Sequence, residues 1–479
     1  MTYLLIAALA CERLTTVALP HAVVTSAQSV AAGTLAQFNT LPAFCRVAAT
    51  LKPSPDSDIK MELWLPAANW NGKFQEVGNG AFSGSIALPA MAAALGRGYA
   101  AASTDTGHTG NTAGFALGHP EKLIDFGWRA VHETAVAAKA IVEAFYASAP
   151  RLSYFTGCSA GGRQGLKEAQ RFPGDFDGIV AGAPGLDWTG RAAQAVRLAQ
   201  ATEKPEARLS PADARLVHNA VLAACDAQDG VKDGVVDDPT RCAFDPAALQ
   251  CASEKTASCL TPAQVRTAKM LYEVRANPKT KREITALARG SELGWTENGW
   301  SASARATGLD QFRFLVFKDP RWEIGAFDFD ADIARAEAAD DDTINALDPN
   351  LKAFVDRGGR LIQYHGWSDP QISPGNSTQY YSRVVQALGG TDRVAGAYRL
   401  FMAPGMAHCG GGDGPNTFDM LAALEQWVEQ RTPPDRIVAS HAMDGAVDRK
   451  RPLCPYPQVA VYKGSGDTND AASFVCGTR

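Results

Sequence analysis

Three residues of the chain have the types and the surroundings for nucleophilic acyl transfer: Ser159, Asp369 and His408. Ser159 stands in Gly157-Cys158-Ser159-Ala160-Gly161, a G-x-S-x-G stretch. A serine hydroxyl is a weak nucleophile until a base takes its proton. Small residues on either side permit a sharp turn that leaves the hydroxyl exposed at a helix N-terminus, where backbone N–H groups favour negative charge. The same letters also describe a plain Gly-rich turn with a bystander Ser, so the partners must decide. A nucleophile elbow needs a base and an acid to orient it, in the order Ser, Asp or Glu, His. Asp369 lies in Gly366-Trp367-Ser368-Asp369-Pro370, and His408 in Ala403-Pro404-Gly405-Met406-Ala407-His408-Cys409-Gly410. Each follows a run that reads as a late strand, and catalytic groups of open α/β sheets gather at carboxyl ends of strands.

Other histidines compete for the role of base. The chain has eight: 21, 108, 119, 132, 218, 365, 408 and 441. His365 is four residues from Asp369 and reads as packing or hydrogen-bonding within its strand end. His108 and His119 lie in a loop and can touch substrate or solvent. Only His408 sits in a Gly-rich loop after a late strand, and it is taken as the base. The oxyanion of a tetrahedral intermediate needs two N–H donors. One is expected from Ala160, the residue after the nucleophile, and one from the early loop Asn79-Gly80-Ala81-Phe82-Ser83-Gly84, at Gly80 or Ala81. The plain-turn reading of that loop stays open. Cys158 precedes the Ser and Cys409 follows the His. If Ser159 and His408 are in contact, the two cysteines are neighbours, and a disulfide between them would tie the elbow to the His loop.

The elements that must position these groups alternate in type. Strand-like runs lie at Phe44–Ala48, Met61–Pro66, Phe74–Gly78, Tyr99–Asp105, Leu152–Phe155 and Phe176–Pro184. Helical patterns lie at Asp125–Tyr146 and Ala160–Arg171. This alternation predicts a mainly parallel, doubly wound sheet, the α/β-hydrolase class. From about 187 to 345 the pattern changes. Ser210-Pro211-Ala212-Asp213 and Thr261-Pro262-Ala263-Gln264 read as helix starts, each with a hydroxyl N-cap, Pro at N1 and an acid or amide at N3. An aromatic region follows, with Trp295, Trp300, Phe312, Phe314, Phe317, Trp322, Phe327 and Phe329. This segment is expected to be an inserted lid domain, and its aromatics suit either a flat acyl group or the lid's own core. The core is expected over 11–186 and 346–479. It resumes with a helix at Leu351–Arg357, strands at Arg360–Gly366 and Tyr398–Met402, and helices at Ser377–Leu388 and Phe418–Glu429.

Composition narrows the partners. The chain has 479 residues, 46% hydrophobic and 20% charged, with a net charge of −5. That allows a large packed core and leaves nucleic acid a poor partner. No apolar stretch approaches a membrane span. The ten cysteines are even in number and include no C-x-x-C pair, which favours disulfides and an oxidising compartment over metal-thiolate chemistry. A secreted or periplasmic location is expected. Residues 1–10 read as the remnant of a signal peptide's apolar region without its basic start, or as residues of other origin. Lipid anchoring at Cys11 would leave an odd number of thiols and has Ala8 where Leu is usual.

With these residues in place the chain resembles the tannase/feruloyl esterase family, which also contains bacterial hydrolases of mono(2-hydroxyethyl) terephthalate. The likeness runs through nearly the whole chain. It is carried by Gly157-Cys158-Ser159-Ala160-Gly161-Gly162-Arg163-Gln164-Gly165, Gln170-Arg171-Phe172-Pro173-Gly174-Asp175-Phe176-Asp177-Gly178 and Met406-Ala407-His408-Cys409. Cys11-Glu12-Arg13-Leu14 is similar to the start of a mature member. The resemblance implies the disulfides Cys11–Cys45, Cys158–Cys409, Cys225–Cys242, Cys251–Cys259 and Cys454–Cys476. It also implies a structural calcium in the lid, in the loop from Cys225 to Val235. Asp226, Asp229 and Asp233 would bind through side chains, and Val231 and Val235 through carbonyls. Converging oxygens with glycines between them suit a hard cation, and no Glu closes an EF-hand; a solvated acidic turn is the alternative.

The expected activity is therefore that of a secreted serine esterase acting on esters of aromatic acids, feruloyl in type. Terephthaloyl monoesters and galloyl esters are the alternatives. A non-catalytic binding protein on the same scaffold, and a serine peptidase or acyltransferase, are the readings from other classes. No organic cofactor is expected. Which aromatic acid is preferred, the lid contacts to it and the oligomeric state are not legible.

Overall fold

The computed structural model describes residues 9–296 and 305–478. Most of the 1–10 segment, and Trp300, lie outside the described residues. The chain divides into two compact units, Met1–Ala181 with Leu351–Arg360, and Gly182–Asn350 with Leu361–Arg479.

In the first unit the strands are β1 (Ala22–Val30), β2 (Phe44–Leu51), β3 (Ile59–Pro66), β4 (Lys73–Val77), β5 (Ala100–Thr104), β6 (Leu152–Cys158) and β7 (Gly178–Gly182). Their spatial order is β1-β2-β3-β5-β4-β6-β7. The β1, β2, β3 and β5 neighbours pair antiparallel, whereas β4 pairs parallel with both β5 and β6. A mixed sheet flanked by helices has the α/β-hydrolase architecture. The small side chains of β5, Ala100-Ala101-Ala102-Ser103-Thr104, are all buried. They let the Leu88–Gly96 and Ala130–Tyr146 helices both pack on this strand. Phe74, Tyr154 and Phe155 are fully buried in the same sheet. Each such side chain contributes roughly 1.5–3 kcal/mol of transfer free energy. β1 has no strong apolar alternation, with only Val24 and Ala27 buried, and its place at the sheet edge was not legible in the sequence. Cys11–Cys45 joins the short N-terminal helical turn to β2.

The long helix after β5 starts at Pro120, five residues earlier than its apolar pattern predicts, and contains a π turn at Asp125–Arg129. The fully buried guanidinium of Arg163 explains the irregularity. Its Nη1 and Nη2 donate to the carbonyls of Gly127 and Phe126, at 2.7 and 3.3 Å. An inserted side-chain donor of this kind is one recognised cause of a break in the helical ladder.

In the second unit both proposed helix starts are present. Ser210 and Asp213 form a reciprocal capping box at the Pro211–Cys225 helix, and Thr261 and Gln264 do so at Pro262–Leu271. These helices enclose a core with Val217, Val221, Leu260, Val265 and Trp295, pinned by Cys225–Cys242. Cys251–Cys259 closes the turn between them. A second cluster packs Phe312, Trp322, Phe327 and Phe329 against Ala192 and Val196 of the Trp188–Ala201 helix. Trp295 and these four aromatics are therefore interior to the segment.

The strands Arg360–Gly366 and Tyr398–Ala403 pair in parallel, from Leu361 opposite Tyr398 to Gly366 opposite Ala403. They end level with each other, so the loops that follow start side by side. Two C-terminal hairpins, Ile437–Met443 with Ala446–Leu453 and Val459–Tyr462 with Phe474–Gly477, complete the unit. Cys454–Cys476 links them.

Candidate active site

β6 ends at Cys158 and a helix begins at Ala160. Ser159 alone makes the turn, with φ 63° and ψ −121°. A non-glycine residue held there costs on the order of 1–3 kcal/mol and persists only where its surroundings impose it. The glycines are part of that imposition. A Cβ on Gly157 would lie 2.5 Å from the backbone of Gly161, and one on Gly161 would lie 3.0 Å from the Asn79 carbonyl oxygen. The strand end, the helix start and the early loop therefore close on one another only as bare backbone. Ala160 is the first helical residue, so its N–H has no acceptor within the helix.

The early loop is held in place by side-chain bonds between Asn79 and Gln164. Gln164, on the first turn and a half after Ser159, accepts the Asn79 N–H at Oε1 (3.0 Å) and reaches Asn79 Oδ1 with Nε2 (3.2 Å). Asn79 Nδ2 donates to the carbonyls of Ser85 and Thr104, both at 2.8 Å. This fixes the backbone from which Gly80 and Ala81 follow, and Ala81 takes a left-handed φ of 45°. His108 is not a surface residue. It is buried, its Nε2–H donates to the Phe82 carbonyl at 2.8 Å, and its ring stacks on Phe115. Burial holds its pKa below the ordinary histidine value. It braces the loop and does not face solvent. His119 pairs with Asp56 at the surface.

Asp369 and His408 lie in the second unit and meet there. His408 Nδ1 donates to Asp369 Oδ2 at 2.7 Å. That tautomer leaves Nε2 as the proton acceptor. Asp369 is fully buried. Its Oδ1 accepts the backbone N–H groups of Gln371 (2.7 Å) and Ile372 (2.9 Å). Burial pushes its pKa upward, but the charge of His408 and the hydrogen bonds from His365 and His408 outweigh this, leaving it well below the usual carboxylate range. His365 does bond at its strand end, as its position suggested, and one of its partners is Asp369 itself, at 3.2 Å. Arg191 was not foreseen. It donates to the Gln371 carbonyl (3.0 Å) and to Thr307 Oγ1 (2.9 Å), bracing the turn that carries Asp369. Burial lowers its pKa to about 10, with Asp369 acting in the opposite direction. Nothing in the local sequence marks a helical Arg 178 residues earlier as a neighbour. The His408 loop turns sharply, with Cys409 at φ 62° and Gly405, Gly411 and Gly412 also left-handed. Cys158 and Cys409 both carry disulfide-bonded sulfurs, and among the described residues no cysteine is free.

The Asp226–Val235 loop has the chemistry of a hard-cation site. Asp226 accepts N–H groups from Asp233 (3.0 Å) and Gly234 (3.1 Å), so the backbone wraps its carboxylate. Gly230 and Gly234 turn left-handed at φ 89° and 78°. Asp233 is also approached by Arg451, and by Arg449 at 3.5 Å, which offsets part of the loop's negative charge. The residue types are those that ligate a hard cation, but here Asp226 is held by backbone N–H groups and Asp233 by arginines. A different trio, His132, Glu168 and Asp175, also brings ligand atoms within 4.8 Å of one another. There His132 Nδ1 and Asp175 Oδ2 are 2.6 Å apart in a hydrogen bond to each other, and the Lys139 ammonium lies on the Asp175 backbone carbonyl.

The sequence model of the family described as tannase and feruloyl esterase matches residues 45–477. An uncharacterized esterase of Xanthomonas campestris pv. campestris is 38% identical over 98% of this chain and 91% of that protein. The mono(2-hydroxyethyl) terephthalate hydrolase of Piscinibacter sakaiensis is 38% identical over 93% of this chain and 87% of its own length. The crystal structure of feruloyl esterase B from Aspergillus oryzae superposes with a TM-score of 0.91 at 32% identity, covering 98% of this chain and 99% of that one.

Proposed function

The chain belongs to the tannase and feruloyl esterase family and is a carboxylic ester hydrolase; we propose that it is a secreted serine esterase of aromatic acid esters, acting through Ser159, His408 and Asp369. The observation that carries the reading is the backbone of Ser159, held at φ 63° between β6 and its helix. In this mechanism His408 Nε2 takes the Ser159 proton as Oγ attacks the ester carbonyl. Asp369 keeps the imidazole in the required tautomer and stabilises its charged form. The Ala160 N–H and one from Gly80 or Ala81 hold the oxyanion. The alcohol leaves with the proton from His408. Water then adds to the acyl-enzyme, giving its proton to His408 and releasing the acid as Ser159 regains a proton.

A disulfide between Cys158 and Cys409 would bind the residue before the nucleophile to the residue after the base. Residues 187–345 would serve as the lid. A calcium ion on Asp226, Asp229, Val231, Asp233 and Val235 would be structural, supplying positive charge that holds the loop closed. The pairing of the cysteines as disulfides supports export. No helix among the described residues is long and apolar enough to cross a membrane.

A second choice of acid has specific support. The terephthalate monoester hydrolase is 38% identical to this chain, no further from it than the other relative compared. The test is kcat/KM on methyl ferulate, methyl gallate and mono(2-hydroxyethyl) terephthalate, beside labelling of Ser159 by a fluorophosphonate. Turnover of one ester with loss of both turnover and label in Ser159→Ala is the expected result. Turnover that survives in Ser159→Ala would overturn the triad. A labelled protein that hydrolyses none of the three would overturn the aromatic-acid assignment.

A further inference from the structure

Behind Asp369 runs a chain of buried polar groups that the triad does not account for. His365 Nε2 lies 3.1 Å from the Ile372 carbonyl and 3.2 Å from Asp369 Oδ2. A carbonyl only accepts, so Nε2 carries the hydrogen and shares it between the two. The other ring nitrogen, Nδ1, lies 2.6 Å from Ser377 Oγ. In the neutral ring Nδ1 is an acceptor, so the Ser377 hydroxyl donates to it. That hydroxyl oxygen then accepts from Gln363 Nε2 at 2.6 Å. Gln363 Oε1 in turn accepts from the Tyr398 hydroxyl, also at 2.6 Å. One assignment of hydrogens satisfies every contact, and in it each donor points toward Asp369. Tyr398, Gln363, Ser377, His365 and Asp369 are all fully buried, so none has water as an alternative partner.

We infer that His365 is a positioning residue, and that the Tyr398–Gln363–Ser377–His365 chain aims and tempers the Asp369 carboxylate for His408. The inference rests on the proposed triad. Two backbone N–H groups hold Asp369 Oδ1, and the His365 N–H holds one side of Oδ2. The direction left on Oδ2 is taken by His408 Nδ1. Rotation of the carboxylate would break a bond at either oxygen, so the imidazole of His408 is aimed from behind. The second effect is electrostatic. The His365 N–H draws charge from the oxygen that His408 uses, which limits how strongly Asp369 favours an imidazolium at 408. Ser377 strengthens that N–H, because a ring nitrogen that accepts a hydrogen bond makes the opposite N–H a better donor. The charged and titratable groups facing the pair are His408 from its loop and Arg191 from the Trp188–Ala201 helix. At the far end Tyr380 and Tyr381 face Tyr398.

The test compares His365→Leu, which removes the donor, with His365→Gln, whose side-chain amide can place an N–H near the lost Nε2. In His365→Leu kcat should fall about tenfold with KM within about twofold, the scale of a lost hydrogen bond to a charged group. The acid limb of its kcat/KM profile should move to higher pH, because an Asp369 with one donor fewer holds the proton on His408 more tightly. His365→Gln should restore most of both. A profile that superimposes on that of the parent enzyme, or a His365→Gln enzyme as impaired as His365→Leu, would overturn the inference. Ser377→Ala covers the case in which His365→Leu does not fold. Its acid limb should move in the same direction by a smaller amount, and an unmoved limb would overturn the inference. Ser159→Ala separates this from the triad itself: a dead Ser159→Ala with an unmoved His365 profile removes only the positioning role, whereas an active Ser159→Ala removes the triad and this inference with it.

Discussion

Gln164 and Asn79 hold each other by two bonds, the Asn79 N–H on Gln164 Oε1 at 3.0 Å and Gln164 Nε2 on Asn79 Oδ1 at 3.2 Å. The pair joins the helix that starts after Ser159 to the loop that leads into Gly80 and Ala81. Both donors proposed for the oxyanion thus share one rigid frame, and preorganised donors act without reorganising during the reaction. Gln164→Ala should leave the loop free to move away from the helix. The expected loss is about tenfold to a hundredfold in kcat, less than removal of a donor outright, with little change in KM. Steady-state kinetics on the preferred ester decides it, and an unchanged kcat would show that the loop is held by its other bonds.

Asp369→Asn preserves the shape of the side chain and removes the charge. In a triad this favours the wrong His tautomer, and kcat should fall by about 10⁴-fold while circular dichroism stays that of the parent. A loss below tenfold would assign the role to another acid. The lowered pKa of Asp369 adds a pH expectation. Its contribution to stability is present above the unfolded value of about 3.9 and is lost only as pH falls through the lower folded value.

Asp105 works in the opposite sense. Burial raises its pKa to about 6, against the lowering effect of the Gly107 and Lys60 N–H groups. Those N–H groups both lie 2.8 Å from Oδ1. A carboxyl raised in the folded state contributes stability below about pH 4, and that contribution is lost as pH rises through about 6. Asp105→Asn keeps the Oδ1 acceptor and cannot ionise. Its stability relative to the parent should improve between pH 4 and 7, by up to roughly 3 kcal/mol. Denaturant curves at the two pH values measure this, and parallel pH dependences would show that Asp105 does not ionise there.

Removal of calcium should loosen the second unit. If the Asp226–Val235 loop holds the ion, a chelator should lower Tm by a few degrees, and added calcium should restore it. Asp226→Ala should have a low Tm that no longer responds to either. An equal response in the variant would place the bound ion elsewhere.

The helix starts at Ser210 and Thr261 were legible because a capping box is local, its partners three residues apart. The elbow was legible for a related reason, since Gly157, Ser159 and Gly161 are adjacent in the chain and only small residues allow that turn. Asp369 and His408 were legible as strand-end residues in the expected order. Arg191 and Gln164 were not, because an Arg or Gln on a helix looks the same whether it faces solvent or braces a distant turn. The aromatics of the 295–329 region illustrate the limit. Their composition suited both a flat ligand and a packed interior, and burial of Trp295, Phe312, Trp322, Phe327 and Phe329 decided for the interior.

By itself, then, the amino-acid sequence determined the chemistry available: a serine in a turn that excludes side chains, an acid and a histidine in loops after parallel strands, cysteines paired by oxidation and an acidic glycine loop. The tertiary structure decided which groups hold them. It placed His365 and His408 on one oxygen of Asp369, tied Asn79 to Gln164, and buried His108 against Phe82 and Phe115. The physical reason is that these bonds join residues far apart in the chain or on separate loops. Their direction depends on which polar atoms are left without water, and that is settled only when the strands and helices have packed.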